Sequence, residues 1–344
     1  MRPPSGSVPR RALLAAAALL TQAPPAPARA WCGENFPSWA FYLKWDQSAL
    51  PLQDNPKAGA TSYRIVGDLV RESKAGVPPI LVVGAPGIGY EYLENFEALT
   101  VSDRRVVFVA LAGTAPASSS SSTFDTSLAT PEAGAAQLAG VCKSLGLPAV
   151  HVVAHGLGAP AALRFAASST SVVRSLTLSS PYGSVADLRQ GALDLSSVKS
   201  LPQLAGLLLP TVSTNARDTC VAEARTAGGG PVLLPALTGA SPFASLGGAK
   251  LGERLTALRG TGSSLPVLLA SGGARDLVDA DAWVDVPPWV SRKRFGGSGH
   301  LPFVEERDAF LLSCLEFLDG VDGKETNREF KFGDPVATIK EIVG

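Results

Sequence analysis

The residues with the most pointed chemical setting are Ala154-His155-Gly156-Leu157-Gly158. They follow a short apolar run, Val150–Val153, and precede a segment from Ala159 that reads as a helix. A strand, a sharp turn and a helix in that order make the nucleophile elbow, G-x-S-x-G, whose turn lifts one side chain above a sheet. Small residues flank such a turn because strand and helix approach closely there, and Ala154 and Gly158 meet that need. The central position is Gly156, so no hydroxyl, thiol or carboxylate stands there to attack a carbon atom. His155 reads as a structural neighbour of the turn, and His151, on the apolar run, as a core histidine with its hydrogen bonds satisfied. The cysteines at 32, 142, 220 and 314 show no metal-ligand spacing, so no metal is expected. Cys142 and Cys314 sit in apolar helical stretches and read as buried free thiols. Cys32 and Cys220 lie in less regular segments, where export would permit a disulfide.

The elements that must position these residues follow a strict rhythm. Short continuous apolar runs occur at Ile80–Val83, Val106–Leu111, Val150–Val153, Ser175–Leu178 and Val267–Ala270. Runs of this kind are strands buried on both faces. Thr61–Gly67 instead alternates, as an antiparallel strand does. Helical segments lie between them. Tyr90–Leu99 is one, and a second opens at Thr130-Pro131-Glu132, an N-cap followed by proline, and stops at Gly146. A third follows Gly158, and the last, Asp308–Leu318, ends at Gly320. The alternation predicts an α/β fold with a mainly parallel, doubly wound sheet. The stretch 183–264 is too long for an ordinary connection and reads as an inserted helical cap, with helix-like pieces at Ser200–Leu209 and Leu251–Arg259. The core is thus expected at 31–182 and 265–320, with a C-terminal tail at 321–344.

The stretch VHVVAHGLGAPAALRFAAS resembles an α/β-hydrolase elbow with its serine exchanged for glycine. Upstream, PPILVVGAPGIGYEYLENFEALTVSDRRVVFV is similar to the oxyanion-loop region of the proline iminopeptidase branch of that superfamily. The branch usually shows His-Gly-Gly-Pro-Gly after the strand, whereas this chain reads Val83-Gly84-Ala85-Pro86-Gly87. The resemblance covers roughly residues 60–320 and implies an acid after the penultimate strand and a histidine after the last. Gly273-Ala274-Arg275-Asp276-Leu277-Val278 resembles the G-x-x-D-x-V acid turn and makes Asp276 the candidate acid. After Arg292–Phe295, the loop Gly296-Gly297-Ser298-Gly299-His300 is similar to the one that presents the catalytic imidazole, making His300 the candidate base. In a working triad the histidine takes the serine proton while the aspartate fixes its tautomer. The oxyanion donors would be the backbone N–H groups of Leu157 and of Ala85. A second departure accompanies the glycine: relatives usually carry Asp-x-x-Gly-x-Gly-x-Ser after the fourth strand, where this chain has Ala110-Leu111-Ala112-Gly113-Thr114-Ala115.

Formal net charge is zero, with 30 basic and 30 acidic residues, which gives no electrostatic reason to expect nucleic acid or an anionic membrane as partner. The glycine-rich loops match the elbow and the oxyanion turn, so no nucleotide cofactor is expected either. At the N-terminus, Arg2, Arg10 and Arg11 precede the apolar run Ala12–Leu20, and Ala28-Arg29-Ala30 completes the pattern of a cleaved signal peptide over 1–30. The run is too short for a stable membrane span. Arg10-Arg11 resembles a twin-arginine signal, which implies export to a thylakoid lumen, a periplasm or the exterior.

Three readings are open. One is a catalytically silent pseudoenzyme that binds a small molecule or peptide under the cap, or a protein partner; non-enzymes with glycine at the serine position are known within the superfamily. The second is an enzyme that uses the His300–Asp276 dyad without a covalent nucleophile. The third is a peptidase or esterase with a relocated nucleophile, for which Ser180, at the end of the strand Ser175–Leu178, is the candidate.

Overall fold

Eight short strands pair into one sheet in the order β1-β2-β4-β3-β5-β6-β7-β8. They are β1 (Ser48–Pro51), β2 (Ala60–Val66), β3 (Ile80–Val83), β4 (Val106–Ala110), β5 (Val150–His155), β6 (Val173–Ser179), β7 (Val267–Ser271) and β8 (Ser291–Arg294). In this computed structural model the described residues are 48–51, 60–66, 77–84, 96, 99–100, 102, 104–111, 130–156, 158–182, 187, 200, 203, 250–260, 264–278 and 280–324. The segment 1–30, Cys32, Cys220, most of the 183–264 insertion and the tail beyond 324 lie outside them. Among the described residues, no helix is long and apolar enough to cross a membrane.

β1 and β2 pair antiparallel, as does β2 with β4. From β4 through β8 every neighbouring pair is parallel. The reason is legible in burial. β3 and β5 are buried along their whole length, as parallel strands covered on both faces must be. Val150, Val152 and Val153 are each at most 1% exposed. Side chains of this size contribute on the order of 1.5–3 kcal/mol each when withdrawn from water. β8 is the opposite case, with Ser291, Arg292, Lys293 and Arg294 all exposed. It is an edge strand, and three adjacent cations on it oppose pairing with another chain.

The described helices are α1 (Pro131–Ser144), α2 (Gly158–Ser168), α3 (Leu251–Gly260), α4 (Pro302–Glu305) and α5 (Arg307–Val321). α1 begins where the capping pattern places it: Thr130 Oγ1 accepts from the Ala133 N–H at 3.1 Å, and Pro131 occupies the first turn. Gly146, at φ +62°, ends it by entering the left-handed region that side chains avoid. α1 and α2 cross closely, since a Cβ on Gly134 would stand 2.7 Å from the Ala161 methyl. α3, which sequence pattern placed inside the insertion, packs against α2, the helix that follows the elbow turn. Leu251, Leu255 and Leu258 form its buried stripe. Of the expected helix at 90–99, Phe96 and Leu99 are among the described residues and both are buried.

Chain order and strand order diverge at one place: β4 lies on one side of β3 and β5 on the other. Such a reversal opens a crevice at the carboxyl ends of the two central strands, the usual location of a ligand site in open α/β sheets. The amino-terminal edge is clasped instead by an ionic cluster. Arg104, 1% exposed, donates from Nη1 to Asp319 Oδ1 at 2.8 Å and from Nη2 to Asp322 Oδ2 at 2.5 Å. His151 lies between Ser175 Oγ, 2.8 Å from Nδ1, and the Asp322 carboxylate, 3.2 Å from Nε2. His151 is therefore the satisfied core histidine expected of it. Burial by itself would raise the Asp322 pKa, but hydrogen bonds from His151 and Arg104, and their charges, hold the carboxyl well below its usual range.

The cluster ties α5 to the start of three strands, so removing its cation takes the guanidinium from Asp319 and Asp322, the latter keeping His151. Arg104→Met is expected to destabilise the fold by roughly 3 kcal/mol or more in denaturant unfolding. Asp322 adds an acid limb: its contribution is complete above about pH 4, the unfolded carboxylate range, and is lost as pH falls below that. Asp322→Asn should flatten the wild-type loss of stability measured below pH 4.

Candidate active site

The turn after β5 holds Gly156 at φ +51°, buried, with its N–H donating to Ser179 O at 3.0 Å. Its own carbonyl accepts from Ala159 N at 3.1 Å and so opens α2. A side chain would meet backbone strain of order 1–3 kcal/mol in this region, which glycine enters freely. Two positions on, Gly158 is fixed by space: a Cβ there would stand 2.6 Å from Gly84 O, at the end of β3. The strand-to-helix turn therefore sits against β3, at the topological reversal. Gly84 is buried there, while Ala85 and Leu157, the expected oxyanion donors, lie outside the described residues.

The structure brings Asp276 and His300 together. Asp276 is fully buried and His300 is 4% exposed. The His300 Nδ1–H donates to Asp276 Oδ1 at 2.8 Å, which leaves Nε2 as the nitrogen able to accept a proton. The acid is held from several directions. Oδ1 also accepts from Val278 N at 3.1 Å, and Oδ2 accepts from Gly272 N and from Ser180 Oγ, both at 2.7 Å. A carboxyl group withdrawn from water needs such donors, because unpaired it costs several kcal/mol.

Glycines explain how two loops can lie this close. A Cβ on Gly272 would fall 1.9 Å from Gly299 O, and one on Gly273 2.3 Å from Gly296 O. The acid turn and the histidine loop are thus in backbone contact. They are stitched by Gly273 N donating to Ser298 O at 2.9 Å and Phe295 N to Ser271 O at 2.8 Å. From the other side, Glu306 accepts from Gly297 N at 2.7 Å and Glu305 from Gly299 N at 2.9 Å. These two glutamates hold the loop that carries His300, and sequence reasoning missed them. Their only signal was acidic residues shortly after a glycine-rich loop, which is common.

His155 is nearer the chemistry than its sequence setting suggested. Its ring lies 4.7 Å from that of His300, tilted by 57°, and 5.0 Å from Phe303 in an edge-on contact. Its Nδ1–H donates to Ser179 O at 3.0 Å. Burial first, and the neighbouring His300 charge second, push its pKa well below the usual imidazole range, against an opposing hydrogen bond to Ser179. It is a neutral ring packed against the candidate base. Ser180, the candidate for a relocated nucleophile, is engaged elsewhere. Its hydroxyl, fully buried, donates to the acid at Oδ2, so it is bound to the far side of the dyad from His300 Nε2 and is not set to be deprotonated there. The two described thiols are also out of play: burial pushes Cys142 up to about 12 and raises Cys314 further still.

Comparison with known proteins adds the fold. No family model and no curated protein sequence matches the chain. Among solved structures, it is similar to a proline iminopeptidase of Mycobacterium smegmatis, with TM-score 0.61 and 19% identity over 80% of this chain and 99% of that one. It is similar also to naproxen esterase, carboxylesterase NP, of Bacillus subtilis, with TM-score 0.58 and 15% identity over 80% and 92% of the two chains. A putative aryl esterase from Burkholderia cenocepacia aligns with TM-score 0.59 and 15% identity over 81% and 100%. With the mostly parallel sheet and flanking helices, these establish an α/β-hydrolase fold.

Two outcomes test the site's construction. Gly272→Ala should separate the acid turn from the histidine loop, and loss of the His300 Nδ1–H resonance in a folded protein would register it. His155 makes a pH prediction. Its unfolded pKa is near 6.5 and its folded one lower, so unfolded chains bind the extra proton and stability falls as pH drops below about 6.5. The slope from this one group approaches about 1.4 kcal/mol per pH unit. His155→Asn, which can keep a donor toward Ser179 O, should remove that slope between pH 6.5 and 5 in chemical denaturation.

Proposed function

We propose that this hydrolase-fold protein does not form an acyl-enzyme and acts by binding, as a pseudoenzyme whose ligand is a small molecule or a peptide under the 183–264 insertion, or a protein partner. The observation that carries the reading is the side-chain-free Gly156 at φ +51° between β5 and α2, the position from which a nucleophile would project. In a well-studied serine protease, removing the nucleophile lowers turnover about a million-fold. Oxyanion donors and binding retain roughly a thousand-fold over water. Acyl transfer through residue 156 has no attacking atom here.

A second reading is favoured by a specific observation, the Asp276–His300 hydrogen bond in a fully buried setting. An imidazole whose Nδ1–H is held by a carboxylate keeps Nε2 in its accepting form, and the carboxylate steadies the imidazolium once a proton arrives. Such a pair can draw a proton from an acidic ligand or from a water molecule without covalent catalysis. Under this reading His300 is the base and Asp276 its partner.

The segment 1–30 is proposed to direct export, through a signal of twin-arginine type, to a thylakoid lumen, a periplasm or the exterior. N-terminal sequencing of the mature protein starting at Trp31 would support cleavage after Ala30.

A fluorophosphonate probe tests the main reading. The wild-type protein should remain unlabelled, whereas Gly156→Ser should become labelled if base, acid and oxyanion donors are all in place. Labelling of the wild-type chain would overturn the proposal. His300→Ala separates the two readings: unchanged ligand binding with no turnover to lose supports the binding protein, and abolished turnover supports the dyad.

A further inference from the structure

We propose that Ser180 is a positioning residue of the Asp276–His300 pair: its hydroxyl fixes the acid to the central sheet and so determines where His300 presents Nε2. The inference rests on reading that pair as the acid–base centre of the site, and it assigns Ser180 a role in place of the nucleophile its sequence position suggested.

The donors to Asp276 divide by origin. Gly272 N and Val278 N belong to the acid's own turn, four residues before it and two after. They fix the carboxyl plane relative to that turn and to nothing else. His300 arrives on a loop that is itself stitched to the same turn through Gly273 and Ser298. Among these partners, Ser180 is the donor supplied by a different strand. It follows β6, and its backbone N–H donates to Ala270 O of β7 at 2.7 Å, so the residue is anchored before its side chain is placed. Oγ then reaches Oδ2 at 2.7 Å. With Oδ2 engaged by Gly272 and Ser180, Oδ1 is the oxygen left facing the imidazole.

The backbone supplies an independent indication. Ser180 has φ +41°, and it is the one non-glycine residue at positive φ among the described residues. Glycine would occupy this conformation without strain, whereas a side-chain-bearing residue there costs on the order of 1–3 kcal/mol. Strain of this kind persists where the surroundings over-determine it, and it gathers at functional sites. A serine held in that conformation, fully buried, with its hydroxyl on the candidate acid, is accounted for by the hydrogen bond it makes.

The test compares Ser180→Gly with Ser180→Ala by NMR of protein labelled in its three histidines, with His300→Gln assigning the His300 Nδ1–H line. Both variants delete the hydroxyl, and only glycine relieves the backbone. In both, the His300 Nδ1–H resonance should move downfield by more than its linewidth, because the carboxylate that accepts it has lost a competing donor. Ser180→Gly should melt at the higher temperature of the two. An unmoved resonance in folded Ser180→Gly would overturn the proposal, as would a shift confined to Ser180→Ala, which would track the backbone and not the hydroxyl. Should Ser180→Ala fail to fold, the glycine variant alone decides. The readout needs no turnover, so its outcome is separate from that of fluorophosphonate labelling at residue 156.

Discussion

The carboxyl group of Asp276 is fully buried, and its demand for hydrogen-bond donors draws together the carboxyl ends of β6, β7 and β8. Such a group is tolerated in an interior only when its oxygens are paired. The donors come from the end of β6, from the turn after β7 and from the loop after β8. Bringing three segments onto one carboxyl group requires backbones to touch, and touching backbones require glycine. Gly272 and Gly273 meet the carbonyls of Gly299 and Gly296 at distances that leave no room for a Cβ. The dyad's geometry is thus a consequence of packing between two turns as much as of the two titratable residues themselves.

The same logic of close approach governs the elbow. Gly158 lies against Gly84 O because α2 must start at the point where β3 and β5 end side by side. Gly156 adopts a positive φ that a nucleophile would have to adopt under strain. Glycine enters that conformation without strain. The turn between β5 and α2 therefore keeps its shape beside the Asp276–His300 hydrogen bond.

Far from this edge, Arg104 gathers Asp319, Asp322 and, through Asp322, His151 at the starts of β4 and β5 and the end of α5. It secures the helix that follows the His300 loop. Glu305 and Glu306, just ahead of that helix, hold the loop itself. A route of hydrogen bonds and helix packing therefore runs from the base of the sheet to the candidate base.

Much of this was legible in one dimension. Apolar runs of strand length separated by capped helices determined a parallel α/β sheet, since only strands covered on both faces lack polar alternation. Glycine spacing located the elbow, because close backbone approach leaves its trace in residue type, while the acid turn and the histidine loop followed from the resemblance to α/β-hydrolases. Asp276 and His300 became candidates through that resemblance, and the core role of His151 was readable from its place on an apolar run. The contacts of Ser180, His155, Glu305 and Glu306 were not. A serine at a strand end, a histidine beside a turn and two glutamates before a helix are ordinary in sequence, and each takes its meaning from a partner on another element. Ser180 reaches Asp276 across 96 positions of chain, and His155 meets His300 across a gap that topology alone closes. Local pattern determined which segments fold and where they turn. Tertiary structure decided which side chains meet, because hydrogen bonds and ring contacts depend on distances in space that sequence separation does not encode.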